Sequence, residues 1–230
     1  AYGSHANATG GKSFAAGWNT TASGASSVAI GSSETDTSTG AVAAGTKSIA
    51  LGANSNANGD QSISVGADAT ASKSDAVAFG TSAAASESSA IAIGKSTQAK
   101  SSKSIAVGEG AVADGTATIA IGAGNNATGW GATAVGKNVQ VTKERSTGIG
   151  WDLTVDQSAA TLVGYNSQVH ANQGTGLGST INITSAAQYG TGIGYQVDVS
   201  GKNAVAIGSS GDTGTHTAAS ATDAISIGTA

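Results

Sequence analysis

The closing glycine of one short phrase, Ser104-Ile105-Ala106-Val107-Gly108, recurs along the whole chain and constrains its folding more than any other feature. It falls at Gly3, Gly17 and Gly31, at Gly52, and then at Gly66, Gly80, Gly94, Gly108, Gly122, Gly136, Gly150, Gly164 and Gly178. Gly194, Gly208 and Gly228 complete the series. From Gly52 to Gly178 is 126 residues, nine steps of 14. A period this short, held this long, is that of a solenoid whose coils each touch only their neighbours.

Each unit reads as two short strands and two turns. The first strand is Ser27-Val28-Ala29-Ile30-Gly31 or its equivalent, and the second is of the form Ala69-Thr70-Ala71 or Ala111-Val112-Ala113. Alternation of period two, with Val and Ile at fixed phase, is a strand signal. A second glycine often follows the marker by seven residues, at Gly10, Gly24, Gly59, Gly115, Gly129 and Gly201, where a turn needing positive φ would explain it. Charges respect the same phase. Lys73, Glu87, Lys100 and Asp114 fall at the second turn, Lys95, Glu109, Lys137 and Asp152 at the first, and the strands carry almost none. Turns are wet and strands are buried. Glycine (35 of 230 residues) and the missing 3.6 periodicity argue against helix.

Composition excludes several classes. With no cysteine there is no disulfide framework and no thiolate metal site. A net charge of −4 gives no basic face for nucleic acid. No stretch approaches the ~18 apolar residues of a membrane-spanning helix. The first residue is not Met and Gly3 is already in phase, so the chain reads as a fragment of something longer.

The reading is a single solenoid domain, 1–230, with the period broken in three places. Gly31 to Gly52 holds seven extra residues, placed near 34–40 because Gly45-Thr46-Lys47-Ser48 matches the mid-coil phrase Gly59-Asp60-Gln61-Ser62. Gly178 to Gly194 holds two extra, within 179–190, and Gly208 to Gly228 six, near 211–217. Such insertions go to turns, as tolerated loops or as part of a binding face.

A second regularity concerns the core. From Gly136 onward the first strand usually begins with threonine (Thr133, Thr147, Thr161, Thr175, Thr191) while the second grows to Val139/Val141, Leu153/Val155, Ile181/Ile183 and Val197/Val199. One side shrinks as the other fills, which places these columns against each other in a shared interior. The other face of the first strand is then the column Ala29, Ala50, Ala78, Ala92, Ala106, Ala120, Ala134, Gly148, Gly176, Gly192 and Ala206, with Leu162 as its exception. A strand apolar on both faces needs cover on both. Close packing of a further copy of the chain against this small column would supply it.

The phrases Ser27-Val28-Ala29-Ile30-Gly31, Ala90-Ile91-Ala92-Ile93-Gly94 and Asn203-Ala204-Val205-Ala206-Ile207-Gly208-Ser209-Ser210 resemble the head repeats of YadA-like trimeric autotransporter adhesins. That resemblance implies an all-β, left-handed parallel β-roll of about 15 coils, homotrimeric. It implies a head displayed on the bacterial cell surface, held to the outer membrane by a stalk and anchor outside this fragment. It also implies, as partners, host matrix proteins such as collagen, fibronectin or laminin, or abiotic surfaces, with autoaggregation. By the same resemblance the collagen-binding motif of the best-known member maps onto Val28, Ala29, Ile30, Gly31, Asn203, Val205, Ala206, Ile207 and Gly208, residues that the roll also needs for packing.

Catalytic and cofactor chemistry find no footing in the residues. His5, His170 and His216 lack an acidic partner at ligand spacing, no Gly-x-Ser-x-Gly elbow has its partners, and the Gly-x-Gly phrases open strands rather than phosphate-binding helices. Trp18, Trp130, Trp151, Tyr165, Tyr189 and Tyr195 read as packing residues before a sugar platform. The expectation is a non-enzymatic adhesive head with no cofactor. Three alternatives stand beside it: an ice-binding solenoid, on the threonine ladder; a phage tail fibre or spike; and a passive spacer.

Overall fold

The computed structural model describes residues 1–32, 39–209 and 216–229. Among these there is no helix, and every strand pairing is parallel to its equivalent in the next coil. The chain divides into two compact units, 1–117 and 118–230. The insertions expected near 34–40 and 211–217 fall mostly on residues 33–38 and 210–215, outside the described ones.

In the first unit each coil carries a three-residue and a two-residue strand, as in Val77–Phe79 and Ala84–Ala85. The register is one repeat throughout: Val77, Ala78 and Phe79 lie on Ile91, Ala92 and Ile93, and Ala84–Ala85 on Gln98–Ala99. Where the repeat is 21 residues the register simply absorbs it, with Val28 on Ile49 and Ala29 on Ala50. Gly45 stacks between Gly24 and Gly59 in the mid-coil row, not in the marker row.

In the second unit the two strands fuse across the first turn into nine-residue strands, Thr133–Val141, Thr147–Val155, Thr161–Val169, Thr175–Ile183 and Thr191–Val199. The two extra residues of the coil after Gly178 lie in its second turn. Ile181 still sits sixteen residues from its partner Val197, while Gln168–Asn182 upstream keeps fourteen.

The interior is the reverse of the sequence expectation. Ala29, Ala50, Ala78, Ala92, Ala106, Ala120, Ala134 and Ala206 are 0% exposed, and Gly148, Gly176 and Gly192 are buried with them. This small column therefore lies inside the coil and cannot face another copy of the chain. In the first unit it packs on the alanines of the second strand, as Ala15, Ala29 and Ala50 do on Ala22, Ala43 and Ala57. A 14-residue coil encloses so little space that two alanines fill its width.

Size is still conserved across the interior, but between different columns. At three positions of the second unit, Gly148, Gly176 and Gly192, glycine replaces the alanine that faces Val, Leu or Ile of the second strand. A Cβ added at Gly148 would stand 2.7 Å from Val139 Cγ1 and 2.9 Å from Val141 Cγ2, and one at Gly192 would stand 3.1 Å from Ile181 Cγ2. Leu162 inverts the rule: it is fully buried, and the second strand of its coil carries Ser167 where its neighbours carry Leu153 and Ile181. One coil before Val139, at the equivalent position, stands the buried Asn125. Its Nδ2 donates to the carbonyls of Ile121 (2.6 Å) and Gly136 (3.1 Å), and its Oδ1 accepts from the Val139 N–H (2.9 Å).

Besides most marker glycines, whose φ is also positive, two residues per coil have φ near 50–70°. One is two past the marker, such as Asn54, Asp68, Asn138 or Asp152; the other is nine past it, such as Lys12, Gln61, Arg145 or Gln173. Asn and Asp suit this conformation. Mid-coil glycines such as Gly59 do not adopt it. They are glycines because coils approach closely there, with a Cβ on Gly59 falling 2.0 Å from the Lys73 backbone.

Candidate functional site

Turning the alanines inward turns their neighbours outward. In each coil the residues on either side of the buried alanine line one outer sheet face, so that Val28/Ile30, Ile49/Leu51, Val77/Phe79 and Ile91/Ile93 stack in two apolar rows in the first unit. Ile49, Leu51 and Phe79 are 40, 43 and 53% exposed. In the second unit one outer row is Ile121, Val135, Ile149, Val163, Leu177, Ile193 and Ile207, and the other is the threonine ladder. The threonines are therefore on the outer sheet, with Thr161 and Thr175 exposed. The premise that kept them indoors is overturned, because the compensating column is the one holding Gly148.

The residues mapped from the collagen-binding motif separate accordingly. Val28 and Ile30 share the outer face of one coil, Val205 and Ile207 that of another, and Gly31 and Gly208 close the strands. Ala29 and Ala206 are enclosed by their own coils and out of a ligand's reach. Asn203 is exposed at a second turn with φ of 56°, its Nδ2 donating to Asp223 Oδ1 at 2.9 Å.

The first turns of the second unit carry a different surface. Position one past the marker is Lys137, Trp151, Tyr165, Ser179, Tyr195 and Ser209 in successive coils, each in register with the next. Trp151, Tyr165 and Tyr195 are about half exposed. Lys137 Nζ stands 5.1 Å from the Trp151 ring centroid, and Trp151 meets Tyr165 edge to face at 5.7 Å. Beside them a polar cleft of about 140 Å³ is lined by Asp152, Thr154, Asn166, Ser167 and Gln168. Ser167 fixes its wall, donating to the Tyr165 carbonyl (2.8 Å) and accepting from the Ile181 N–H (2.9 Å). Asp152 is held by Asn138 Nδ2 at 2.9 Å, and Gln168 Oε1 lies 2.8 Å from His170 Nε2. Sequence reading took these aromatics as packing residues. Their shared position one past the marker was visible, but exposure depends on which way the first strand faces.

Histidines find acidic partners one coil away rather than nearby in sequence. His170 Nδ1 is 2.7 Å from Asp156 Oδ2 and His216 Nδ1 is 2.9 Å from Asp198 Oδ2. Among the described residues no three His, Cys, Asp or Glu gather as a metal centre. A second groove, of about 380 Å³, runs along the second turns between Arg145 and Tyr189, where the small Ala159 leaves room.

The family model described as YadA head domain repeat (2 copies) matches residues 8–33, 43–69, 71–97, 99–125 and 113–138, just over half of the chain. A comparison with curated protein sequences finds no match.

Proposed function

Because the chain belongs to the YadA head domain family, we propose that it is the adhesive head of a trimeric autotransporter displayed on a bacterial surface. The observation that carries this reading is the outer sheet face, with two apolar rows in the first unit and one apolar row beside the threonines in the second. Monomeric proteins rarely leave long contiguous apolar surface open to water, and such surface marks an interface. Because every coil presents the same two positions, the face suits further copies of the same chain. Packing three copies through these rows buries Ile30, Leu51, Phe79 and Ile149 and leaves the turns, with their charges, for ligands. Host matrix proteins or abiotic surfaces are the ligands in this reading, and heads on neighbouring cells drive autoaggregation. Weak contacts repeated on three copies then sum to firm attachment.

The mass of the chain in solution tests the assembly. Light scattering on a size-exclusion column gives about three times 21.7 kDa if the reading holds. Ile149→Glu, which sets three charges into the apolar seam, reduces that mass while circular dichroism retains its β signal. A wild-type monomer whose apolar rows stay open to solvent overturns the proposal.

The outward threonines favour one second reading, an ice-binding face. The threonine row runs beside a row of Val, Ile and Leu, in register coil by coil from Thr133 to Thr191. Thermal hysteresis in the monomeric variant, abolished by Thr161→Lys, would establish it in place of the adhesin.

A further inference from the structure

The aromatic first turns of the second unit are not used by the apolar face, and they have the make-up of a ligand site. Most exposed aromatics in a fold of this kind stand singly and need no account. Trp151, Tyr165 and Tyr195 instead occupy one structural position in register, at separations of one coil and then two, about 5 Å and about 10 Å along the stack. Ser179 leaves the gap between the two tyrosines. Directly alongside, the Asp152–Gln168 cleft offers a carboxylate, two side-chain amides and a hydroxyl. Ligand sites are made in this way, from aromatic and apolar side chains with a few polar groups that fix orientation.

We propose that this strip binds a linear, uncharged glycan of β-1,4-linked pyranoses, lying along the stack with sugar rings against Trp151, Tyr165 and Tyr195 and hydroxyls in the cleft. A pyranose has an apolar C–H face and a rim of hydroxyls, matching an aromatic rung beside Asn166, Thr154 and Gln168. An extended chain of such rings repeats at nearly the coil spacing, so one polymer engages successive coils without a bend. The local charge argues for a neutral polymer. Lys137 is engaged over the Trp151 ring, and Asp152, whose carboxylate borders the cleft, repels an anionic one. Ser167 stands where neighbouring coils carry Leu and Ile, and Leu162 fills the interior of that coil from the other side. The inference deepens the adhesive reading by naming one ligand class for it.

Isothermal titration of the 230-residue chain with the hexasaccharides of β-1,4-linked glucose and of β-1,4-linked N-acetylglucosamine tests it. At least one binds saturably. Trp151→Ala and Tyr165→Ala each weaken binding about tenfold or more, the loss of one ring contact. Asn166→Ala weakens it less, and Trp130→Ala, exposed on a second turn, leaves it unchanged. Tyr165→Ala retains the proof if Trp151→Ala disturbs folding. No heat from either sugar at millimolar concentration overturns the proposal, as does binding that survives Trp151→Ala and Tyr165→Ala or is lost in Trp130→Ala. The adhesive head fails separately: its test is the mass of the wild type in solution, which the Trp151→Ala and Tyr165→Ala variants keep.

Discussion

Gly148→Ala tests the inside-out assignment of the first strand most directly. Gly148 lies in a strand outside the left-handed region, so alanine is conformationally allowed there. Taken alone, the change would stabilise by about 0.4–1 kcal/mol, because alanine has fewer unfolded conformations to lose. The added methyl, however, would sit 2.7 Å from Val139 Cγ1 and 2.9 Å from Val141 Cγ2, well inside the ~3.5–4.0 Å of optimal carbon contact. Valine has little χ1 freedom with which to retreat. Overpacking of this kind costs about 1–3 kcal/mol, so the net expectation is a loss of about 1–2 kcal/mol. Val141→Ala alone creates a void and costs about 2 kcal/mol. The double variant removes the contact with Val141 and keeps the one with Val139. Its loss is smaller than the sum of the two by about 1 kcal/mol or more, since the residues touch. Urea midpoints measured at one fixed protein concentration read this out, as assembly makes stability depend on concentration. A Gly148→Ala variant that is neutral or more stable, as an outward-facing row would give, refutes the packing argument.

Other outcomes follow from the same interior. Asn125→Ala strands the carbonyls of Ile121 and Gly136 and the Val139 N–H, and a midpoint shift equal to about 2–3 kcal/mol is expected. Leu162→Ala costs about 2–5 kcal/mol, and adding Ser167→Leu recovers part of it by filling the void from the opposite strand, measurable in the same titration. Gly136→Ala puts a Cβ 1.7 Å from the Gly150 carbonyl oxygen at a φ of 130°, and hydrogen exchange should find both adjoining coils opened.

The period, the parallel stacking, the turn positions and the phase of Gly45 could all be read from the chain, because each follows from spacing alone. The direction in which the first strand faces could not. Side chains alternate, so displacing the interior by one residue exchanges the whole apolar set between core and solvent. Here both candidate faces were apolar: Ala106 on one side, Ile105 and Val107 on the other. Hydrophobicity did not choose between them; volume did, because opposite a second strand lined with alanine the space inside one coil admits alanine and not isoleucine. The clue was Leu162, set aside as an exception, whose partner is Ser167. The aromatic strip was missed for the same reason, since Trp151 and Tyr165 look like core residues until the core is shown to be full.

The uneven interior of the second unit has a consequence for how the chain folds. Coils with the same alanine interior are interchangeable. A first unit that stacked Ala78 on Ala106 and looped out the coil between them would lose little packing, and repeat proteins that nucleate anywhere are open to that error. In the second unit the same skip would set Gly148 against Gly176 and expel Leu162, leaving a hollow beside Val155 and no place for Ser167. Misassembly there carries an immediate energetic penalty, so the irregular coils fix the count for the run they belong to.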